Sequence, residues 1–105
     1  MQRFRNIYDS ELKILKDLIN LSNIEFELPD PLVNISGDEG LYSIIFSNKI
    51  TKNEKRIFGK KISEVIFKDY DGIDVIASLY TDTNDELYEI DFWKVDYTTI
   101  RCLDK

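Results

Sequence analysis

The sequence predicts an α+β fold in which an N-terminal helix packs on an antiparallel β-meander of about five to six strands. Three observations lead to this prediction. The chain has 105 residues, the size of one domain, so we expect residues 1–105 to share a single core. An early stretch repeats apolar residues with the period of a helix. Later stretches alternate apolar and polar residues between clusters of turn formers, as strands do.

The predicted helix covers residues 10–21. Asp9 and Ser10 are the predicted N-cap residues, and Glu11 suits the positive end of the helix dipole. A domain of this size has to bury an apolar helix face in order to fold, so we expect that face to lie on the core rather than bind a partner. With steps of about 100° per residue, one half of the helix surface is apolar: Leu12, Ile14, Leu15, Leu18, Ile19 and Leu21.

The stretch after the helix changes to the period of a β-strand. Three apolar residues alternate with two glutamates across residues 24–28, which predicts a half-buried strand. Pro29 and Pro31 end this strand, because proline has no N–H for a β-ladder and restricts the residue before it. The chain is therefore expected to turn there or to run along the edge of a sheet.

The remaining strands follow from the same alternation and from the turn residues between them. The last strand has two mixed faces, and we assign its even-numbered residues to the core because they include Ile90 and Phe92. The opposite face then carries Glu89, Asp91 and Trp93. In chain order the predictions are a short strand at 32–36, a turn at 37–40, a central strand at 41–47, a loop or short helical turn at 48–56, and strands at 61–68, 73–80 and 87–95 joined by turns at 69–72 and 82–85.

The composition excludes several kinds of active site. The chain has no histidine, which removes the commonest general base and the commonest metal ligand. Ser-His-Asp, Cys-His and zinc-histidine schemes are therefore impossible. The sequence also lacks a glycine-rich phosphate loop and a dinucleotide-binding fingerprint. We expect no cofactor, no metal ion and no enzymatic activity.

The same composition predicts a cytoplasmic location. Cys102 is the single cysteine, so it has no internal disulfide partner, as is usual in a reducing compartment. Charged residues interrupt the apolar residues of segment 1–21, so we expect neither a signal core nor a membrane span.

The charges are divided unevenly along the chain. Residues 69–96 hold nine acidic residues and one basic residue, whereas residues 48–68 hold seven basic and two acidic residues, within a total net charge of -6. An acidic surface repels nucleic acid and anionic lipid, and it steers a cationic partner toward itself. We therefore expect a protein partner, with no nucleic acid and no membrane. A solvated sheet face that keeps an edge soluble is the alternative explanation.

Aromatic residues lie among these carboxylates, and aromatic side chains ringed by charge are typical of interface hot spots. Trp93 has a second interpretation, as part of the core. The predicted partner-binding residues are Asp69, Tyr70, Asp71, Asp74, Tyr80, Asp82, Asp85, Glu89, Asp91, Trp93 and Tyr97.

Three sequence motifs also allow other interpretations. Carboxylates around the glycine turn at 69–74 suggest a calcium loop, but hairpin turn chemistry also explains them. Glu89 and Asp91 have a spacing that a glycoside hydrolase can use, and that hypothesis requires a cleft holding both carboxylates. The basic stretch 49–61, with Phe58 as a stacking ring, suggests phosphate contacts, for which a solvated loop is the alternative.

The chain resembles a small uncharacterised bacterial family with the pattern D-x-D-G … S-L … D … L-x-E-L-D-x-W-K-x-D-F. The resemblance implies no activity. Ile90 and Tyr97 stand where the pattern has Leu and Phe, and Thr98-Thr99 stands where Ser-Pro is common. The matching residues are the helix 5–18 with Glu11, Phe58-Gly59, the segment 67–72, Val75, Ser78-Leu79, Asp82 and the segment 87–97.

In size, acidity and lack of catalytic residues, the chain also resembles immunity proteins of bacterial toxin systems, including contact-dependent growth inhibition. This second resemblance implies a protein that binds a cognate toxin domain and covers its cationic active-site cleft. We expect the toxin domain to be a nuclease and the protein to be a monomer or weak dimer. The alternative is a small cytoplasmic module that binds a ligand or protein without catalysis.

Overall fold

A computed structural model describes residues 3–47 and 56–103. It confirms the α+β fold, with one helix lying on a six-stranded antiparallel sheet. The elements are β1 (Arg3–Asn6), α1 (Asp9–Ser22), β2 (Leu32–Asp38), β3 (Leu41–Ile45), β4 (Phe58–Lys68), β5 (Asp74–Asp82) and β6 (Leu87–Lys94).

The strands are ordered β1-β2-β3-β6-β5-β4, and every neighbouring pair is antiparallel. The predicted strand 41–47 is confirmed as an interior strand, because β3 lies between β2 and β6. β4, β5 and β6 form consecutive hairpins. β3 and β4 follow one another along the chain, but β6 and β5 lie between them in the sheet, so β6 lies in the interior beside β3.

The helix is confirmed close to its predicted limits, but its cap differs from the prediction. Tyr8 is the N-cap, and its backbone N–H donates to Glu11 Oε1 at 2.8 Å. Asp9 and Ser10 are therefore wrong as predicted cap residues, because the Glu11 carboxylate reaches back to satisfy the first turn. The carboxylate is fully buried, accepts two bonds of 2.8 Å from Arg5 and one of 2.7 Å from the Tyr42 hydroxyl, and ties the helix to β1 and β3.

The predicted strand at 24–28 is wrong. These residues pair with none of the described strands, and Ile24 and Leu28 are exposed while Phe26 packs against the core. The strand that takes the edge position is β1, which the sequence analysis missed; it is a four-residue segment paired with β2. A period of two shows that a segment can form a strand, but it does not show whether an edge is free to receive it.

The core lies between the helix and one face of the sheet. Leu15 and Leu18 of the helix and Ile90 and Phe92 of β6 are fully buried there, which confirms the predicted core side of the last strand. Ser63 of β4 donates to the Leu18 carbonyl at 2.8 Å and fixes the helix against the sheet. The core cluster also contains Val33, Ile44, Phe46, Ala77, Leu79, Leu87 and Leu103.

The structure describes only part of the basic stretch 49–61. Most of the predicted loop at 48–56 lies outside the described residues, as do Lys49, Lys52 and Lys55 of the basic stretch. Arg56 is described and is buried in an ion pair, so for this residue neither the phosphate contact nor the solvated loop is right. Within 3–47 and 56–103, no helix is long and apolar enough to cross a membrane.

Candidate protein-binding surface

The structure does not bring the eleven predicted partner-binding residues together on one surface. Some lie at the β4–β5 turn, some at the β5–β6 turn, and the rest on or beside the sheet face opposite the helix, which we call the open face. The two turns are at opposite ends of the sheet because the hairpins are consecutive. Each group has a different chemical environment.

The first group surrounds Lys94, whose side chain is only 1% exposed at the end of β6. Its ammonium donates to Asp69 at 2.9 Å and to Asp71 at 2.6 Å. Asp69 is also buried and accepts backbone N–H groups of Tyr70, Arg101 and Cys102. Asp69 therefore anchors the segment after β6 to the β4–β5 turn and does not belong to an exposed surface, which corrects its predicted role.

Burial alone raises the pKa of Asp69, but the hydrogen bonds from Lys94 and from the backbone outweigh it and hold that pKa well below its usual range. The pKa of Asp71 is also lowered, chiefly by its bond to Lys94. Lysine ammonium groups thus bind all three carboxylates of the calcium hypothesis, because Lys94 binds Asp69 and Asp71 and Lys68 binds Asp74. Among the described residues, no group of three or more His, Cys, Asp or Glu is arranged to hold a metal ion.

The second group surrounds Asp82, which is 2% exposed. Arg56 Nε donates to its carboxylate at 2.9 Å, and the two Nη atoms donate to the carbonyls of Phe46 and Leu87 at 2.7 and 2.6 Å. The carboxylate also accepts the backbone N–H groups of residues 84 and 86, so its pKa is lowered despite burial. Asp82 is a structural residue, and its predicted role in partner binding is corrected.

The other residues at the two turns are accessible. Tyr70 is 78% exposed, and Asp74 forms a surface ion pair with Lys68 at 2.7 Å. Asp85 is exposed in the β5–β6 turn, where its φ is 62°. Tyr70 and Asp85 lie in the turns, away from the strands of the open face, whereas Asp74 is at the start of β5 on the side that faces away from the helix. The exposed acidic surface is therefore smaller than the acidic stretch 69–96 from which it was predicted.

The open face carries Glu89, Asp91 and Trp93 together, as predicted, and Tyr80 pairs with Glu89 across β5 and β6. The registers place side chains of five strands in rows across this face. One row is polar and the next is apolar, ending at the exposed residues Leu41 and Ile66. The polar row is Ser36, Ser43, Asp91, Ser78 and Glu64, and the apolar row is Leu41, Trp93, Ile76 and Ile66.

Trp93 lies in the apolar row and not in the core. Its ring centroid is 6.0 Å from that of Tyr97, which is 60% exposed and extends the aromatic surface. The indole Nε1 is buried with no hydrogen-bond partner among the described residues. The face therefore presents a half-buried aromatic residue between exposed aliphatic ones.

Glu89 and Asp91 form a carboxylate pair beside this row. Burial and the neighbouring Asp91 carboxylate raise the pKa of Glu89 to about 7, because two carboxylates close together do not both ionise easily. The Ser43 hydroxyl donates to Asp91. No Lys or Arg of the described residues forms an ion pair with either carboxylate, whereas Glu64 on the same face pairs with Lys61 at 3.0 Å.

This surface also contains four residues that were not predicted from the sequence: Ser43, Leu41, Ile66 and Ile76. Each lies on a strand whose existence was predicted, but only the pairing of β3 with β6 and of β4 with β5 brings them beside Trp93 and Asp91. No local sequence signal specifies those registers. The partners of the buried carboxylates, Arg56 and Lys94, were missed for the same reason.

The glycosidase hypothesis required a cleft that holds both carboxylates. Three cavities formed by described residues lie elsewhere: one beside segment 25–30 and the start of β6, one beside the end of the helix, and one at residues 5–9. Glu89 and Asp91 line none of these three. The pair lies instead on an open sheet face, which suits contact with another surface better than enclosure of a sugar.

A family model described as a domain of unknown function, DUF6984, matches residues 4–104. The chain belongs to the DUF6984 family. No curated protein and no solved structure shows significant similarity to it. The matched residues include both the buried ion pairs and the open face, so the family model covers every residue of the candidate surface.

Proposed function

We propose that this DUF6984 protein is a non-catalytic, cytoplasmic immunity protein that binds a toxin domain with the open face of its sheet. The observation that carries the proposal is an apolar row beside a carboxylate pair that has no cation among the described residues. In the second candidate role, the same face binds a protein or ligand unrelated to toxins.

The apolar row supports protein binding because isolated domains rarely leave such rows uncovered. Leu41 is 47% exposed and Ile66 is 57% exposed, and they lie on either side of Trp93 and Ile76. Among the described residues, the helix covers the other face of the sheet, and no helix or strand covers the open face. An aromatic residue at the centre of a patch of this kind is the usual anchor of an interface.

The carboxylate pair supports a cationic partner. Lys61 and Lys68, which are near this face, already pair with Glu64 and Asp74. A partner's Arg or Lys placed between Glu89 and Asp91 would favour ionisation of both carboxylates and would be bound by charge-assisted hydrogen bonds. A nuclease cleft that binds phosphates presents such cations, and the pair would take the place of the phosphates.

The proposal is tested by co-expressing the chain with the toxin domain encoded beside its gene and by measuring Kd for the purified pair. We expect Trp93→Ala and Asp91→Lys each to weaken binding by about 30-fold or more, since hot-spot truncations cost about 2 kcal/mol or more. Asp17→Lys makes the same charge change on the exposed side of the helix and is the matched control.

Protection of growth by the wild type and by Asp17→Lys, with loss of protection in the two open-face variants, would support the proposal. Wild-type affinity in both Trp93→Ala and Asp91→Lys would contradict it. A neighbouring gene that encodes no toxin domain would favour the second role. Reversal of Asp82 is unsuitable as a test, because it breaks a buried ion pair.

A further inference from the structure

A second feature of the molecule is a strand-like segment that has no partner strand in the part of the chain that the structure describes. Residues 24–30 run without helix, turn or bend, and their sequence has the apolar-polar alternation of a strand. None of the backbone N–H groups of residues 25–28 donates a hydrogen bond to a described residue, nor do the carbonyls of residues 24–28 accept one. Within the described residues, the segment therefore presents an unpaired β-edge.

The position of this segment is fixed by packing. Phe26 packs against the core, while Ile24 is 45% exposed and Leu28 is 53% exposed. Ile24 N–H donates to Ser22 Oγ at 3.1 Å, which ties the start of the segment to the end of the helix. A partner would thus meet a backbone that is already held in place, which lowers the entropic cost of binding.

Two cavities border the segment. The first, of about 330 Å³, is lined by residues 25–30 and by Ser47, Asp85, Glu86 and Leu87. The second, of about 560 Å³, is lined by residues 23–26, Leu28 and the last turns of the helix. Both contain apolar side chains of the segment, so alternate side chains of an added strand would find apolar surface next to the free edge.

The charge around the first cavity indicates which kind of chain would bind beside the segment. Its lining includes five carboxylates and no Lys or Arg: Glu25, Glu27, Asp30, Asp85 and Glu86. None of the five forms an ion pair with a described residue. Glu86 Oε2 is buried there with no hydrogen-bond partner among the described residues. A second copy of the same acidic segment would be repelled, whereas a basic chain would be attracted.

We propose that residues 24–28 are a docking edge on which an extended segment of a protein partner, alternating basic and apolar residues, adds as a β-strand. Its backbone would pair with the free N–H and carbonyl groups. Its basic side chains would face the carboxylates around the cavity. Pro29 has no N–H, so the added ladder would end at Leu28. This surface is separate from the open face and does not depend on the function proposed for it.

The test uses the full chain labelled with ¹⁵N and an N-acetylated, C-amidated peptide of sequence Lys-Val-Lys-Val-Lys-Val-Lys. We expect amide shifts centred on residues 25–28 and at least 10-fold slower hydrogen exchange there. A peptide with Glu at every Lys position should give no such shifts. Replacing the central Val by Pro keeps the charge and interrupts the ladder, and should weaken binding at least 10-fold.

Two double variants complete the test. Glu25→Lys with Glu27→Lys should weaken binding at least 10-fold, and Asp17→Lys with Asp38→Lys, which makes the same charge change at exposed sites elsewhere, should leave it within about twofold. Equal binding of the Pro-containing peptide would overturn strand addition. Shifts confined to the open face, or no shift at residues 25–28, would overturn the docking edge itself.

Discussion

At the scale of single residues, two buried carboxylates each form an ion pair, whereas Glu89 and Asp91 form none with a described residue. Asp69 and Asp82 are almost completely buried, and each has a Lys or Arg partner together with backbone donors. A buried carboxylate needs both a counterion and hydrogen-bond donors, because the free-energy cost of removing it from water is otherwise too large. Glu89 and Asp91 are half-buried and have only Ser43 as a described donor, so burial and the Asp91 carboxylate raise the pKa of Glu89 to about 7.

The stability of the protein should therefore depend on pH through Glu89. The pKa of Glu89 is about 4.5 in an unfolded chain and about 7 in the folded protein, so the folded state binds more protons between these values. The contribution of Glu89 to stability is therefore fully present below pH 4.5 and is lost as the pH rises through 7. We expect Glu89→Gln to be more stable relative to wild type at pH 8 than at pH 5, by on the order of 1–2 kcal/mol after screening at a half-buried site.

Urea unfolding at the two pH values measures this difference. The control is Glu64→Gln on the same face, since the pKa of Glu64 is lowered by Lys61 and Ser78 and should not titrate in this window. A constant stability difference between Glu89→Gln and wild type across pH 5 to 8 would show that Glu89 is ionised throughout.

At the scale of elements, the buried ion pairs fix turns to strands. Arg56 lies just before β4, and it binds Asp82 at the end of β5, the Phe46 carbonyl after β3 and the Leu87 carbonyl at the start of β6. Its guanidinium also lies 4.9 Å from the centre of the Tyr88 ring. One side chain thus joins the segment before β4 to the ends of three other strands, β3, β5 and β6.

We expect Asp82→Asn to lower the free energy of unfolding by about 3 kcal/mol or more, because it leaves the Arg56 charge buried without its counterion. Asp74→Asn removes the same charge from a surface pair with Lys68 and should cost less than about 1 kcal/mol. Urea denaturation of the two variants makes the comparison. Equal costs for the two would mean that the Arg56 pair contributes no more than a surface contact.

The sequence predicted those elements whose signals are local. The helix was predictable because its apolar period of 3.6 is unbroken, and the faces of β6 were predictable because Ile90 and Phe92 mark one side. Residues 24–28 have an equally clear period, yet the edge of β2 is taken by β1. The ion pairs of Arg56 and Lys94 and the row around Trp93 depend on register between distant strands, which no local pattern specifies.

At the scale of the whole molecule, one layer of helix covers one layer of sheet, and the two candidate surfaces lie on different parts of it. The open face is a row of side chains across five strands, and the docking edge is backbone at the end of the helix. Between them, β2, β3, β6 and β5 form the interior of the sheet, with Val33, Ile44, Ile90 and Leu79 fully buried.

Hydrogen exchange should show this organisation. We expect the slowest amides in β2, β3, β5 and β6, which are paired on both sides, and rapid exchange at residues 25–28, whose N–H groups have no described partner. Exchange of the free protein, followed by NMR, gives the ranking. Protection of residues 25–28 equal to that of β6 would mean that their amides are already hydrogen-bonded, and the docking edge would then be occupied.

The order of strands also constrains how the protein can form during synthesis. β1, β2 and β3 leave the ribosome first, and β4 and β5 follow, but within the sheet these two groups are joined only through β6. Until residues 87–94 emerge, β3 and β5 each expose an edge of unpaired backbone. Completion of the sheet must therefore wait for the last described strand, and a nascent chain paused before it presents two aggregation-prone edges to the cell.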